Sequence, residues 1–140
     1  MATLTPESRA FLLEGTRTGK LTTVRADGRP HIVPIWFVMD GDTLIFTTGE
    51  SSVKARNIQR DARVALCVDD QTPPYAYATV EGTATLTEHD PDLLRWATRI
   101  GGRYMGEARA EEFGRRNGVP GELLVRLTPT KIIFEENLAG

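Results

Sequence analysis

The densest grouping of chemically capable residues in this chain is the run Thr47-Thr48-Gly49-Glu50-Ser51-Ser52-Val53-Lys54-Ala55-Arg56-Asn57. It falls where a β-branched stretch gives way to a helical pattern. The free N–H groups of a helix start, flanked by hydroxyls, a glycine and two cations, suit a phosphate oxyanion. Lys54 lies in the first helical turn, against the positive end of the helix dipole, and a bound anion would relieve that. The same residues also read as a serine-capped surface helix with solvated Lys and Arg side chains. A second grouping is Pro34-Ile35-Trp36-Phe37. A flat aromatic ligand needs an apolar floor and backbone polar groups for its edge, and a proline-interrupted strand leaves such groups free. Core packing accounts for Trp36 and Phe37 as well. Tyr75 and Tyr77, after Pro73-Pro74, could stack on a ring from a neighbouring chain or pair across strands.

Other constellations are missing. The chain has no Gly-x-Ser-x-Gly elbow and no Gly-rich phosphate loop, and the spacing of His31 and His89 does not suit a metal. Cys67 is alone, which excludes an intrachain disulfide and an all-cysteine metal site. Asp69-Asp70 and Glu111-Glu112 sit in polar contexts that suit turns and solvated faces. No residue stands out as nucleophile or general acid. The 17 Lys+Arg against 19 Asp+Glu leave a net charge of −2, which argues against a nucleic-acid partner. No apolar run reaches the roughly 18 residues of a membrane span and no leader pattern opens the chain, so a cytoplasmic location is expected. With 140 residues, a large ligand cavity would compete with the core. A site shared between two chains is therefore expected.

The elements that must position these residues follow from local pattern. Thr5-Pro6-Glu7 opens a short helix ending near Gly15. Lys20–Ala26, Pro30–Met39 and Thr43–Thr48 read as consecutive strands joined at Asp27-Gly28 and Asp40-Gly41, with type I′ turns expected. Pro30 and Pro34 should bulge the second strand or leave it at an edge. Ser51 or Ser52 caps a short helix, and Ala62–Val68 and Ala76–Leu86 are further strands. Asp90-Pro91-Asp92 opens a helix expected to be interrupted at Gly101-Gly102, with helix resuming over Glu107–Arg116. Glu122–Leu127 and Lys131–Phe134 are expected as separate strands around Thr128-Pro129-Thr130. Six or seven antiparallel strands with a few helices imply a mainly β (α+β) fold, a closed or partly open barrel, as one domain over 1–140.

At Gly19–Pro34, Thr47–Asp61, Val64–Asp69 and Tyr77–Leu86 the chain resembles the flavin and deazaflavin oxidoreductases of the split β-barrel superfamily, which includes the pyridoxamine 5′-phosphate oxidase-like proteins. It is most similar to the branch that uses the deazaflavin coenzyme F420. The resemblance implies a six-stranded antiparallel split barrel with peripheral helices, assembled as a homodimer with two cofactors in grooves between protomers. It implies that Thr47, Thr48, Ser51, Ser52, Lys54, Arg56 and Asn57 hold the cofactor's phosphate end. It implies that His31, Val33, Pro34, Ile35 and Trp36 line the ring, and that Tyr75 and Tyr77 approach from the other protomer. The activity implied is hydride transfer between reduced F420 and a small organic acceptor such as an activated double bond or carbonyl. Alternatives on the same fold are an FMN-binding oxidoreductase and a non-enzymatic dimer that binds a cofactor or tetrapyrrole. The true pyridoxamine-phosphate oxidases carry an Arg and Lys pair on the strand before the phosphate loop, and Asp42–Phe46 has neither, so vitamin B6 phosphate is not the expected substrate. Arg99, Arg103 and Arg109 are candidates to screen the coenzyme's anionic tail, or form a solvated helix face. The acceptor pocket is expected near Trp36, Pro73-Pro74 and Gly101-Gly102.

Overall fold

Glycines at positive φ make the two sharp reversals near the start of the chain. In the computed structural model, which describes residues 2–140, β1 (Gly19–Val24) pairs antiparallel with β2 (Pro30–Ile35), Leu21 standing opposite Val33. Their connection is not the expected type I′ turn. Of the turn residues only Gly28 takes positive φ, 88°, while Gly28 N donates to Arg25 O and Arg25 N to Arg29 O. This is the three-residue solution, a type I turn followed by a left-handed glycine. Between β3 (Val38–Asp40) and β4 (Thr43–Gly49), Gly41 alone has positive φ, 59°, in the first central position that a type II′ turn reserves for glycine.

The expected strand Pro30–Met39 is in fact two. It breaks at Trp36-Phe37, and the pieces lie at opposite edges of one seven-stranded sheet of order β2-β1-β5-β6-β7-β4-β3, in which β5 is Arg63–Asp70, β6 is Ala76–Thr87 and β7 is Glu122–Glu135. Two residues thus join the two edges, so the sheet rolls into a barrel with its seam at Trp36-Phe37. The count is seven, within the six or seven read from the strand pattern, where the resemblance implied six. Conversely, the two last strands are one, β7. Pro129 stands opposite Gly82, where the β6 register shifts between Glu81 and Gly82. A bulge tolerates a residue that cannot donate to the ladder, so the proline bends the strand without ending it.

Leu21, Ile35, Phe37, Leu44, Phe46, Leu66, Val68, Val80, Val125 and Leu127 fill the barrel. Helix α1 (Pro6–Leu13) joins this core through Phe11, whose ring lies 5.2 Å from that of Phe134. Helix α2 (Val53–Arg60) lies against β1, β4 and β6 with Ile58 in the core. Helix α3 (Leu93–Met105) packs on a satellite cluster of Ile45, Trp96 and Leu124. It runs unbroken through Gly101-Gly102, contrary to expectation, and a 3-10 turn (Glu107–Arg109) leads to α4 (Ala110–Asn117). A Cβ on Gly101 would lie 2.7 Å from Phe113 Cβ, so this glycine serves the close approach of α3 and α4. None of the helices among the described residues is long and apolar enough to cross a membrane.

The seam leaves the Phe37 backbone groups outside the ladder, and α3 supplies their partners. Tyr104 hydroxyl accepts from Phe37 N at 3.2 Å and donates to Arg17 O at 2.9 Å. Arg103 donates to Phe37 O at 2.6 Å, Leu12 O at 2.8 Å and Gly15 O at 3.0 Å. Buried backbone groups must find partners, and these two side chains provide them. Arg103 is therefore committed inside the protein and does not face a coenzyme tail.

Candidate functional site

The junction of β4 and α2 is built by a serine cap. Ser52 Oγ accepts from Ala55 N at 3.1 Å and lies 2.8 Å from Thr48 Oγ1, whose residue is buried. Ser51 is exposed and does not cap. The first turn of α2 carries no acid, so its N-terminal N–H groups and dipole face no carboxylate on their own helix. Lys54 is half-buried, and burial pushes its ammonium below the usual lysine range, with the Glu122 carboxylate pulling it partly back. Among the described residues Lys54 makes no ion pair.

Glu122 is the site residue that sequence reasoning missed. It opens β7 directly opposite Gly49, and its Oε2 lies 3.9 Å from where a Gly49 Cβ would stand. Burial pushes its carboxyl above the usual glutamate range, offset in part by a hydrogen bond from Thr47 and by Lys54. No local pattern marks it, because the strand pairing that brings it to Thr47 joins distant parts of the chain. Glu122 also lines a cleft of about 270 Å³ between the β4–α2 turn, the β6–α3 loop and the α4–β7 loop. Glu50, Glu88 and Asp90 share that cleft with Leu93, Leu94 and Val119.

The structure brings Thr48, Ser52 and Lys54 to the start of α2, whereas Thr47 points to the opposite face of β4, on the side of Ile45 and Leu124, and the rest of the motif lies elsewhere. Asn57 is 4% exposed, its Nδ2 donating to Thr23 Oγ1 at 3.0 Å and its Oδ1 accepting from Arg60 at 2.9 Å. Its amide ties α2 to β1. Arg56 is exposed and, with Arg25 and Arg60, lines a separate groove of about 340 Å³ beside the β1–β2 turn.

On β2 the side chains alternate. His31, Val33 and Ile35 stand opposite Thr23, Leu21 and Gly19, whereas Pro34 and the exposed Ile32 stand on the other face. A ring on either side would meet only one parity of the stretch His31–Trp36 and the backbone. His31 Nδ1 is buried with no hydrogen-bond partner, an unspent polar position of the kind native structures rarely leave. Trp36 stacks on Tyr104, 5.1 Å between centroids and 4° between planes, and tilts against Phe113 at 6.0 Å. Tyr75 and Tyr77 lie at the opposite end of β6 from α2, Tyr77 pairing with Asp69 and Glu135 while Ala84 bonds Ala62 beside the helix. The seven residue steps from Tyr77 to Ala84 span roughly 23 Å. Within one protomer the tyrosines are therefore apart from the junction. Gly101 and Gly102 are buried where α3 meets α4 and the 3-10 turn.

The junction can hold an anion, and its acid and base, Glu122 and Lys54, form no ion pair among the described residues. Hydroxyls at Thr48 and Ser52, an ammonium without an ion-pair partner among the described residues and a helix without an acid in its own first turn fit a phosphodiester. Arg109 pairs with Glu112 at 2.9 Å, and Arg99 lies over Trp96 at 5.1 Å, so both belong to the α3–α4 surface.

Comparison with known proteins bears on the chemistry. The family model described as pyridoxamine 5′-phosphate oxidase matches residues 4–135. An F420H(2)-dependent biliverdin reductase of Mycobacterium tuberculosis is 37% identical over 105 residues, 72% of each chain. A 5a,11a-dehydrotetracycline/5a,11a-dehydrooxytetracycline reductase of Streptomyces rimosus is 31% identical over 121 residues, 82% of this chain and 71% of that one. A solved structure titled F420 reductase superposes with TM-score 0.71 at 30% identity, covering 92% of this chain and 98% of the other.

Proposed function

Because the chain belongs to the pyridoxamine 5′-phosphate oxidase family, we propose that it is an F420-dependent reductase that delivers a hydride to a small organic acceptor, such as an activated double bond or carbonyl. The relatives named for F420 support this choice of coenzyme. The observation that carries it is the β4–α2 junction: the Thr48 and Ser52 hydroxyls, one half-buried ammonium and a helix whose own first turn carries no acid, equipment for a phosphodiester.

When bound, the coenzyme supplies the hydride, and no side chain need act as nucleophile. Thr48, Ser52 and Lys54 hold its phosphodiester, while Asn57 acts as a positioning residue that fixes α2 against β1. The β2 stretch from His31 to Trp36 offers backbone groups and one parity of side chains to the ring, with His31 Nδ1 as a free hydrogen-bonding position. Holding ring and acceptor together without water is the protein's share of the rate. Arg25, Arg56 and Arg60 are better placed than the α3 arginines to meet an anionic tail.

The protein works as a homodimer in this proposal. The outer face of β2, β1, β5 and β6 presents Ile32 at 64% exposure beside Thr22, Val24, Ala65 and Thr79, small and apolar residues suited to a second copy. Tyr75 and Tyr77, distant from the junction in their own chain, can complete the partner's site. A cytoplasmic location goes with this, because the reduced coenzyme must be regenerated in the same compartment.

Parallel binding titrations with F420 and FMN test the proposal. F420 should bind at least tenfold more tightly, and light scattering at micromolar concentration should give the mass of a dimer. Tighter binding of FMN would overturn the choice of coenzyme, and a monomeric mass would overturn the shared site.

A further inference from the structure

β2 is an edge strand, first in the order of the sheet, and two of its six residues are prolines. Along a strand the backbone N–H and C=O groups of successive residues point to alternate sides, so every second residue of β2 faces the free edge. Pro34 stands opposite Lys20 and Pro30 opposite Val24. A proline cannot donate, so neither is a hydrogen-bonded pair, and the residues that bond β1 are His31, Val33 and Ile35. The turn fixes the same parity independently: Arg25 N donates to Arg29 O, which makes the next pair, Val24 with Pro30, the unbonded one. The free edge therefore carries the backbone of Pro30, Ile32 and Pro34, all three exposed. It offers three carbonyls and one N–H, that of Ile32, and no backbone bond of a turn, loop or cap among the described residues reaches them. The missing donors make it a poor template for a further strand, which leaves it open to a ligand.

An edge this rich in acceptors suits a ligand edge rich in donors. The pyrimidine edge of a deazaflavin changes in that respect on reduction, which adds a hydride at C5 and a proton at N1. The oxidised ring presents N1, O2 and O4 as acceptors and N3–H as its one donor, whereas the reduced ring presents both N1–H and N3–H. An acceptor that faces an acceptor leaves two groups unpaired, and an unpaired group costs more than a bond gains. We propose that the proline edge of β2 reads the oxidation state of the coenzyme and holds the reduced form more tightly than the oxidised one, a reading that rests on the F420 proposal and on the ring lying along β2. The consequence is direction. The protein loads with the hydride donor and lets go of the spent form, as a reductase must.

Titrations of the natural chain with F420 and with F420H2 measure the preference, without oxygen and near pH 6 so that N1 of the reduced ring keeps its proton. The tail and its phosphodiester are the same in both forms and cancel in the ratio. One neutral bond made in place of an unpaired acceptor is worth about fivefold to tenfold in affinity. The reduced form should therefore bind more than threefold more tightly. A ratio of threefold places the bound couple about 14 mV above the free one, since tenfold is about 30 mV for two electrons. A ratio of threefold or less, or tighter binding of the oxidised form, would overturn the inference.

Pro34→Ala ties the preference to the edge. It returns one N–H to the side of β2 that faces away from β1, so oxidised F420 gains a donor and the preference should shrink to less than half its natural value. A preference that keeps more than half would overturn the inference. If the variant does not fold, the ratio for the natural chain decides alone. If both forms bind and only the ratios fail, the role of the β2 edge falls and the F420 proposal stands. If neither form binds, both fall.

Discussion

Asn57→Ala separates a residue that holds α2 in place from one that touches the coenzyme. Asn57 is 4% exposed, and its amide makes two hydrogen bonds, one to Thr23 Oγ1 at 3.0 Å and one from the Arg60 guanidinium at 2.9 Å. Thr23 is fully buried, so the substitution strands its hydroxyl without the donor it now has. A neutral bond contributes about 1 kcal/mol and one to a charged group about 1.5–3 kcal/mol, the latter reduced here by the exposure of Arg60. The loss should total about 2–4 kcal/mol. A chain of this length unfolds with an entropy of about 0.3 kcal/mol/K, so Tm should fall by roughly 7–13 °C. Asn57→Asp should lose less, because a carboxylate can accept from both Arg60 and the Thr23 hydroxyl. The assay is thermal unfolding by circular dichroism, paired with F420 titration well below the lowered Tm. Affinity of the folded variant should stay within about threefold of the natural chain. A Tm within 2 °C combined with a loss of more than tenfold in affinity would refute the reasoning and make Asn57 a direct ligand.

Tyr104→Phe should cost about 1–3 kcal/mol, because the Phe37 N–H at the seam loses its acceptor while the stack on Trp36 remains. Thermal unfolding reads the loss, and Trp36 fluorescence should stay near that of the natural chain; a shifted emission with unchanged Tm would count against the seam assignment. Glu122 should also make stability depend on pH. Its carboxyl titrates above the usual glutamate range in the folded chain, so ionisation opposes folding, and its stabilising contribution is lost as pH rises through the folded value. Thr47, Lys54, Glu50, Glu88, His89 and Asp90 surround it in the cleft and remain in the variant. The Tm of Glu122→Gln should therefore gain on the natural chain as pH rises from the usual glutamate range through the folded value, and a flat difference would contradict the shift.

Turn chemistry and caps were legible in the amino-acid sequence because they are local. Ser52 caps α2, Thr5 caps α1, and each Asp-Gly pair marks a reversal, although the turn types differ because only the glycines take positive φ. The barrel class followed from strand count and short connections. The seam did not, since Trp36 and Phe37 continue a β-branched run and only their distance from Arg103 and Tyr104 in the sequence hides the partners that allow the break. Gly101 reads as a helix breaker by propensity, yet it allows α4 to approach, and packing overrides propensity. The site was legible in part. Thr48, Ser52 and Lys54 come together, but Thr47 faces the other side of β4, Arg56 lies two residues on from Lys54 and so on another face of the helix, and the Asn57 amide is taken up by Thr23. Glu122 was invisible because it reaches the site through the pairing of β4 with β7, and non-local pairing leaves no spacing to read.

The central claim is that the β4–α2 junction holds a deazaflavin coenzyme by its phosphodiester, with Lys54 as the one ammonium there. Titration of F420 into the natural chain and into Lys54→Ala tests it most directly. Lys54 is half-buried and makes no ion pair among the described residues, so its removal should leave the fold intact. A lost charge-assisted bond of about 1.5–3 kcal/mol should weaken binding by roughly tenfold to a hundredfold with Tm nearly unchanged. Equal affinity in the two proteins would contradict the claim and move the coenzyme away from this junction.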